Sequence, residues 1–210
     1  MRKHGMMICA VLLCMTLLLT AGYSAQGSSS IAPAGSAEIE LLDEDTTYEA
    51  VIEVENYGTI VFTLRQDAAP KTAANFVKLA KDGFYDGLTF HRIIDGFMIQ
   101  GGDPQGNGSG GSGQNIEGEF AANGFDNPIS HVRGVVSMAR AKDPNSASSQ
   151  FFIVQTDSAY LDGGYAAFGE VTEGMEVVDQ ICKEVPVQDG NGTVRPDDQP
   201  VITSITIREK

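Results

Sequence analysis

The stretch FHRIIDGFMIQGGD, residues 90–103, decides the fold of this chain and carries most of its chemistry. Residues 90–94 predict a β-strand, and strand alternation would point Arg92 to the face opposite His91. An Asp-Gly turn signal follows, and residues 97–100 predict a return strand. We therefore expect a hairpin that carries an arginine on one face.

Polar and large apolar side chains share this hairpin. Arg92 and Gln100 accompany Phe97 and Met98. An apolar cup with a few polar contacts is how a small-ligand site is usually built. The stretch by itself leaves a second interpretation open, a barrel strand whose arginine simply faces water.

The rest of the chain predicts more strands and two helices. Alternating or apolar runs indicate strands at 50–55, 59–64, 134–139, 150–155, 166–171 and 201–207. Pro70 opens a helix over about 71–81, and Gly83 suits its left-handed C-cap. Apolar residues between Met175 and Cys182 indicate the second helix. Many strands with two separated helices predict a closed barrel with helices over its ends.

Four segments in a fixed order resemble the cyclophilin-type peptidyl-prolyl cis-trans isomerases. They are the stretch at 90–103, GVVSMARA at 134–141, SSQFFIVQT at 148–156 and YLDGGYAAFGEV at 160–171. The match extends from Tyr48 to the C-terminus. The resemblance implies a mainly β fold, a closed eight-stranded antiparallel barrel capped by two α-helices. It also implies an enzyme that accelerates rotation about X-Pro peptide bonds.

Rotation about an X-Pro bond needs no covalent step. The barrier is about 18–20 kcal/mol because the C–N bond has partial double-bond character. In the twisted amide the proline nitrogen becomes pyramidal and basic, so a cation that donates to it stabilises the twisted state more than the planar one. The resemblance gives this catalytic role to Arg92, whose guanidinium stays charged, and gives Gln100 the role of orienting it.

The resemblance also implies which residues bind the substrate. The proline ring is expected in an apolar slot of Phe97, Met98, Phe152 and Leu161. The other expected peptide contacts are Gly108, Ala139, Arg140, Gln150, Tyr160 and Tyr165. The glycine-rich stretch at 101–118 is expected to cross the rim of the site.

Three positions depart from the commonest family pattern. Arg140 stands where the family usually has Asn, Tyr160 where Trp is frequent, and Tyr165 where His is frequent. Tyrosine can still pack on proline and donate a hydrogen bond, so we expect ordinary isomerase activity. We expect weak binding of the inhibitor cyclosporin, because in the family the tryptophan donates its indole N–H to it.

Other candidate residues indicate no second chemistry. Alternation turns His91 away from Arg92 and gives it a structural role. His131 lies in a turn without a matching Asp or Ser, which disfavours a hydrolase triad. The glycine-rich stretch lacks the Lys-Ser/Thr pair of a phosphate-binding loop, and no His/Cys/Asp cluster has metal-ligand spacing. We expect neither a cofactor nor a metal.

The composition describes an acidic chain with many turns. Its 210 residues suit one domain with an extension, and 24 glycines without a tryptophan favour turns over long helices. A formal net charge of −14 disfavours nucleic acid as a partner, because phosphates would be repelled. The expected partners are proline-containing polypeptides, and we expect a monomer.

The N-terminus predicts export. Residues 1–25 combine a basic start, an apolar run from Met6 to Leu19 and small residues, as in a secretory signal peptide. An uncleaved membrane anchor and lipidation remain open, although the apolar run is short for a span and Tyr23 stands where lipidation needs cysteine. Residues 26–47 predict a flexible linker, and residues 48–210 the isomerase domain.

The predicted signal peptide contains two of the three cysteines. Only Cys182 lies beyond it, and one cysteine cannot form an internal disulfide. Its apolar helical surroundings predict a buried structural thiol.

Two other functions fit parts of the pattern. A binding module of the same fold would hold proline-containing segments without turning them over, but pure binding would not need a cation at the imide nitrogen. An adhesin-like all-β surface domain would not need Arg92, Gln100 and Phe152 together. The leading hypothesis is an exported prolyl isomerase that assists the folding of exported proteins.

Overall fold

Eight β-strands and two α-helices build the part of the chain that the computed structural model describes, residues 39–210. The strands are β1 (Tyr48–Val54), β2 (Gly58–Leu64), β3 (Phe90–Ile94), β4 (Met98–Gly101), β5 (Val135–Met138), β6 (Phe151–Val154), β7 (Ala167–Glu173) and β8 (Ile202–Glu209). The helices are α1 (Pro70–Lys81) and α2 (Met175–Glu184). Each predicted strand and helix is present, with ends within about two residues of those expected. The sequence pattern does not predict the short 3₁₀ turns at Ala121–Asn123, Ala159–Leu161 and Pro196–Asp198.

The strands form one antiparallel sheet in the order β3-β4-β6-β5-β7-β2-β1-β8. This sheet is a half-barrel, and the fold is mainly β with two helices, as predicted. Strands β3 and β8 are its two ends. Beside them, Thr89 pairs with Val201, and the N–H of Phe90 donates to the Pro200 carbonyl at 3.0 Å.

The main core lies where the sheet meets both helices. Phe76 of α1 contacts the rings of Phe62, Phe151 and Phe168 with centroid distances of 5.4, 5.5 and 5.2 Å. Val178 and Ile181 of α2 are fully buried in the same core. Each such side chain contributes roughly 1.5–3 kcal/mol through the apolar surface it removes from water.

A second apolar cluster lies on the opposite face of the sheet. Along β6, Phe151 belongs to the main core and Phe152 to the second cluster, as strand alternation requires. The second cluster also contains Met98, Val135 and Ala167, with Phe97, Ala139, Leu161 and Tyr165 packed against it. This cluster forms the base of the site described below.

Helix α1 has the termini that its sequence predicts and one partner that it does not. Pro70 occupies the first turn, and Gly83, just beyond the helix, has a φ of +69°. The buried carboxylate of Glu119 accepts the free N–H groups of Lys71 and Thr72 at 2.9 and 2.8 Å. A residue far along the chain therefore caps this helix.

Part of the predicted linker contacts the domain. Ile39 and Leu42 pack against the main core, and Gln66 donates to the Thr46 carbonyl at 2.7 Å. The predictions for the signal peptide and for the linker up to residue 38 lie outside the described residues. Between residues 39 and 210, no helix has the length and apolar character needed to cross a membrane.

Cys182 is buried on the core side of α2. Burial raises the pKa of its thiol to about 12, and the carboxylates of Asp95 and Asp179 act in the same direction. A thiol that stays protonated is a poor nucleophile, which agrees with the structural role expected for it.

Candidate active site

A cavity of about 560 Å³ opens on the face of the sheet that carries the second cluster. Its walls come from β3, β4, β6, the glycine-rich loop after β4, the turn at 159–161 and the loop between α2 and β8. The predicted site residues that line it are Arg92, Phe97, Met98, Gln100, Gly108, Ala139, Arg140, Phe152, Leu161 and Tyr165. Gln150 lines a neighbouring cavity, and Tyr160 lies outside both.

Arg92 lies half-buried at the edge of this cavity. Its Nη1 donates to Oε1 of Gln100, its partner across the β3–β4 pair, at 3.1 Å. Its Nε donates to the carbonyl of Asn191 at 2.8 Å. A guanidinium has five N–H groups, and within residues 39–210 the others have no hydrogen-bond partner. They remain available to a ligand in the cavity.

The prediction that His91 points away from Arg92 is wrong. Strand β3 pairs with β4 on either side of His91 but not at it, so this residue forms a β-bulge. The bulge interrupts strand alternation, and His91 lines the same cavity as Arg92. Neither ring nitrogen has a hydrogen-bond partner among the described residues.

The buried ring of His91 stays neutral near neutral pH. Burial lowers its pKa; the carboxylate of Asp103 raises it, and the charge of Arg92 lowers it further. Arg92 is therefore the cation at this end of the cavity, because His91 adds no second positive charge.

Apolar side chains form another part of the cavity wall. Phe97, Met98, Phe152 and Leu161, the four residues expected to hold a proline ring, all line it. Phe152 is the strand partner of Gln100 across the β4–β6 pair, so the amide and the ring stand side by side. Met98 and Phe152 are buried in the second cluster, and close packing there restricts the movement of these two side chains.

Two glutamines join Arg92 to the glycine-rich loop. Nε2 of Gln100 donates to Oε1 of Gln150 at 2.9 Å. Nε2 of Gln150 donates in turn to the carbonyls of Gly108 and Gly110 at 3.1 and 2.8 Å. The side-chain oxygen of Gln100 accepts from Arg92 and its amide N–H donates to Gln150, so two hydrogen bonds fix the orientation of this amide.

The buried carboxylate of Asp103 shapes the glycine-rich loop. It accepts the N–H groups of Gln105, Asn107 and Gly108 at 2.8, 3.1 and 2.6 Å. Burial raises the pKa of Asp103, but these backbone donors together lower it below its ordinary value. A side chain at Gly110 would collide with this carboxylate, so the close turn requires glycine there.

Arg140 lines the cavity and packs against two aromatic rings. Its guanidinium lies 4.9 Å from the ring centre of Phe120 and 4.8 Å from that of Tyr165. Its Nε donates to the Gly164 carbonyl at 2.9 Å. Tyr165 also meets Phe152 edge-on at 5.9 Å. The arginine that departs from the usual family residue is thus held by aromatic rings.

Comparison with known proteins identifies the family. The family model described as cyclophilin type peptidyl-prolyl cis-trans isomerase/CLD matches residues 50–207. The chain belongs to the cyclophilin-type peptidyl-prolyl cis-trans isomerases. Its reaction is therefore the cis-trans isomerisation of peptidyl-prolyl bonds.

Relatives of this cyclophilin-type isomerase include bacterial enzymes. Peptidyl-prolyl cis-trans isomerase B of Bacillus subtilis is 46% identical over 140 residues, which cover 64% of this chain and 94% of that protein. A peptidyl-prolyl cis-trans isomerase of Helicobacter pylori is 43% identical over 145 residues, covering 68% of this chain and 86% of that protein. A crystal structure of a cyclophilin type isomerase from Cryptosporidium parvum, in the presence of the dipeptide Ala-Pro, has a TM-score of 0.67 and 34% identity. The superposition covers 77% of this chain and 99% of the Cryptosporidium parvum chain.

Tyr160 of this isomerase stands at the rim of the cavity. It is 75% exposed, and its ring centre lies 5.9 Å from that of Phe97. It therefore extends the apolar wall outward without enclosing a ligand.

The prediction that His131 has no matching Asp or Ser is wrong. Its Nδ1 lies 2.9 Å from Oδ1 of Asp162, and its Nε2 lies 3.0 Å from Oγ of Ser137. Serine, histidine and aspartate in this order are the parts of a hydrolase triad. Here Ser137 and His131 are buried at 0% and 1% exposure, and the imidazole stacks on Phe152, with ring centres 6.1 Å apart. The network therefore supports the cavity wall and is closed to a substrate.

One wall of the cavity comes from a loop that the sequence pattern does not predict to lie there. The loop between α2 and β8 contributes Gln188, Asn191, Thr193, Val194 and Pro196. The run DGNG at 189–192 is a recognisable turn signal. Its placement beside Arg92 depends on hydrogen bonds to β3, which the local pattern does not contain.

Proposed function

We propose that Arg92 is the catalytic residue of this isomerase and that Gln100 orients it. The main support is the 3.1 Å hydrogen bond between their side chains at the edge of a cavity that apolar side chains also line. An X-Pro segment in the cavity would rest its proline ring on these apolar side chains, with its imide nitrogen within reach of the guanidinium.

The proposed catalysis is electrostatic. In the planar amide the nitrogen lone pair is delocalised and accepts no hydrogen bond, whereas in the twisted amide it is localised and basic. The free N–H groups of Arg92 would donate to it only in the twisted state. A charge-assisted bond beside apolar side chains is stronger than one in open water, so it lowers the barrier selectively.

The proposed substrates are proline-containing polypeptides. Phe97, Met98, Phe152 and Leu161 offer the apolar surface on which a pyrrolidine ring would pack. Gly108, Ala139, Arg140, Gln150, Tyr160 and Tyr165 would contact the flanking peptide. The related crystal structure obtained with Ala-Pro supports this substrate class.

We also propose that the eight strands close into a barrel. Support comes from the two ends of the sheet, where Thr89 pairs with Val201 next to β3 and β8. The N–H of Ile202 donates to the Leu88 carbonyl at 2.7 Å, which adds a second tie beside the bridge. Slow exchange of the Ile202 amide hydrogen is expected; exchange as fast as at an open sheet edge would contradict closure.

We propose further that residues 1–25 direct export and that the enzyme assists the folding of exported proteins. The basic start and the apolar run from Met6 to Leu19 support this. Mass spectrometry of the protein from its own cells should find a mature N-terminus between residues 21 and 26 without an acyl chain. A mass increment of a diacylglyceryl group would overturn the proposal that the mature protein carries no lipid.

Exchange NMR on a short X-Pro peptide tests the proposed site and mechanism. A catalytic amount of the full chain should speed cis-trans exchange and shift the amide resonances of Met98 and Phe152. Shifts at these residues without faster exchange would instead indicate a module that holds proline-containing segments. Fast exchange with shifts elsewhere would move the active site away from this cavity.

A further inference from the structure

The loop between α2 and β8 holds the backbone of the catalytic strand. The N–H of Ile93 donates to the Gly192 carbonyl at 2.8 Å, and the N–H of Val194 donates to the His91 carbonyl at 3.0 Å. Both residues that flank Arg92 are thus bonded to one short segment. Because β3 is an end strand of the sheet, this loop pairs with the part of its edge that follows Phe90.

The same segment holds the side chain of Arg92. The carbonyl of Asn191 accepts the Nε–H at 2.8 Å, while Gln100 accepts from Nη1 at 3.1 Å. Two acceptors at different corners of a planar guanidinium fix both its position and its plane. The remaining N–H groups are then aimed without a further loss of side-chain entropy.

The carboxylate of Asp189 sets the position of the Asn191 carbonyl. Its Oδ1 accepts the N–H groups of Asn191 and Thr193 at 2.9 and 3.2 Å, and its Oδ2 accepts the Thr193 hydroxyl at 3.0 Å. The N–H of Gln188 donates to the Thr193 carbonyl at 2.8 Å and closes the turn. One side chain therefore organises the whole turn that reaches Arg92.

Gly192 fixes the register of this turn on β3. Its φ is +79°, which favours glycine, and a side chain there would collide with the carbonyl of Ile93. The turn consequently has one position along the strand, and the Asn191 carbonyl has one position beside Nε of Arg92.

We propose that Asp189 is a positioning residue for isomerisation, which acts through the Asn191 carbonyl to aim the guanidinium of Arg92. The proposal rests on the catalytic role proposed for Arg92. Asp189 is exposed and the turn lies on the surface, so the carboxylate adds little to the core and its effect is concentrated on the site. Its pKa lies below the ordinary value because the N–H and hydroxyl groups of the turn donate to it, so it is ionised at neutral pH.

The test replaces Asp189 in the full chain and measures kcat and KM on an X-Pro tetrapeptide. Asp189→Ala should lower kcat about tenfold and change KM less than about twofold, because the aim of Arg92 matters in the twisted state. Asp189→Asn keeps one acceptor oxygen, so its kcat should lie between those of the wild type and Asp189→Ala. The matched control is Asp197→Asn, which removes a charge from an exposed residue of the same segment and should leave kcat unchanged.

Repeating Asp189→Ala in an Arg92→Ala background separates positioning from general damage. No further loss of kcat is expected there, because the residue that Asp189 aims is absent. The Nε–H resonance of Arg92 should also move in Asp189→Ala and stay in place in Asp197→Asn. An unchanged kcat in Asp189→Ala with an inactive Arg92→Ala would overturn this inference alone, as would equal fractional losses in both backgrounds. Full activity of Arg92→Ala would instead overturn the proposed role of Arg92.

Discussion

Replacing Arg92 by alanine should remove most of the isomerase activity and leave the fold intact. The side chain makes two hydrogen bonds, to the Asn191 carbonyl and to Gln100. Removing it leaves two acceptors at a cavity edge that water can reach. If Arg92 has the proposed role, the direct loss is one preorganised cationic donor to the nitrogen lone pair of the twisted amide.

The size of the effect follows from that geometry. Loss of one preorganised donor in an enclosed site costs about 2.7–4 kcal/mol of transition-state stabilisation. Arg92 is half-buried, so the lower end applies, and kcat/KM should fall about 100-fold. Hydrogen bonds to a charged group contribute about 1.5–3 kcal/mol each, but water at the cavity edge replaces most of the two lost here, so we expect a net loss of stability of about 1 kcal/mol. The melting temperature should therefore fall by only a few degrees, roughly 2–4 °C.

A protease-coupled assay on an X-Pro peptide measures the change. Arg92→Lys keeps the charge without the planar fork and should retain an intermediate activity, because lysine cannot contact Gln100 and Asn191 together. Arg65→Ala is the matched control, since Arg65 pairs with Asp67 and Glu170 and does not line this cavity. If the folded Arg92→Ala variant kept more than about half of the wild-type kcat/KM, the electrostatic role given to Arg92 would be wrong.

Three further predictions concern stability and inhibition. Burial keeps the pKa of His91 and His131 in the folded chain below the ordinary value of about 6.5, so the unfolded chain binds more protons below that pH and the free energy of unfolding should decrease as the pH falls. Equal urea midpoints at about pH 7.5 and about pH 5 would contradict this. Glu119→Gln should lower the free energy of unfolding by about 2 kcal/mol in a thermal melt, because the buried carboxylate caps α1. The control Glu117→Gln, at an exposed residue, should lower it by less than about 0.5 kcal/mol, and equal losses would refute the capping role. Tyr160→Trp should tighten cyclosporin inhibition about tenfold or more with little change in kcat/KM, and nanomolar inhibition of the unmodified protein would show that this position does not control the affinity.

Local patterns in the sequence determine the elements of this fold. Alternation and apolar runs locate the eight strands, and Pro70 and Gly83 mark the ends of α1, because side-chain period, proline and left-handed glycine act within a few residues. The order of the four family segments adds the identity of the enzyme and places Arg92 and Gln100 on neighbouring strands. Their closeness is predictable, since only a tight turn separates them.

The surroundings of Arg92 are decided by the tertiary structure. One extra residue in β3 turns His91 into the cavity. The alternation rule assumes unbroken pairing along a strand, so it does not predict this bulge even though the hairpin itself is predicted. His131 contacts Asp162, 31 positions along the chain, and Arg92 contacts Asn191, 99 positions along the chain. Such contacts form because the sheet and its loops bring distant segments together, and no local spacing encodes them. The sequence alone therefore determines the strands, the helices and the family, and it proposes Arg92 and Gln100 for the chemistry, whereas the folded chain determines which groups hold these two side chains in place.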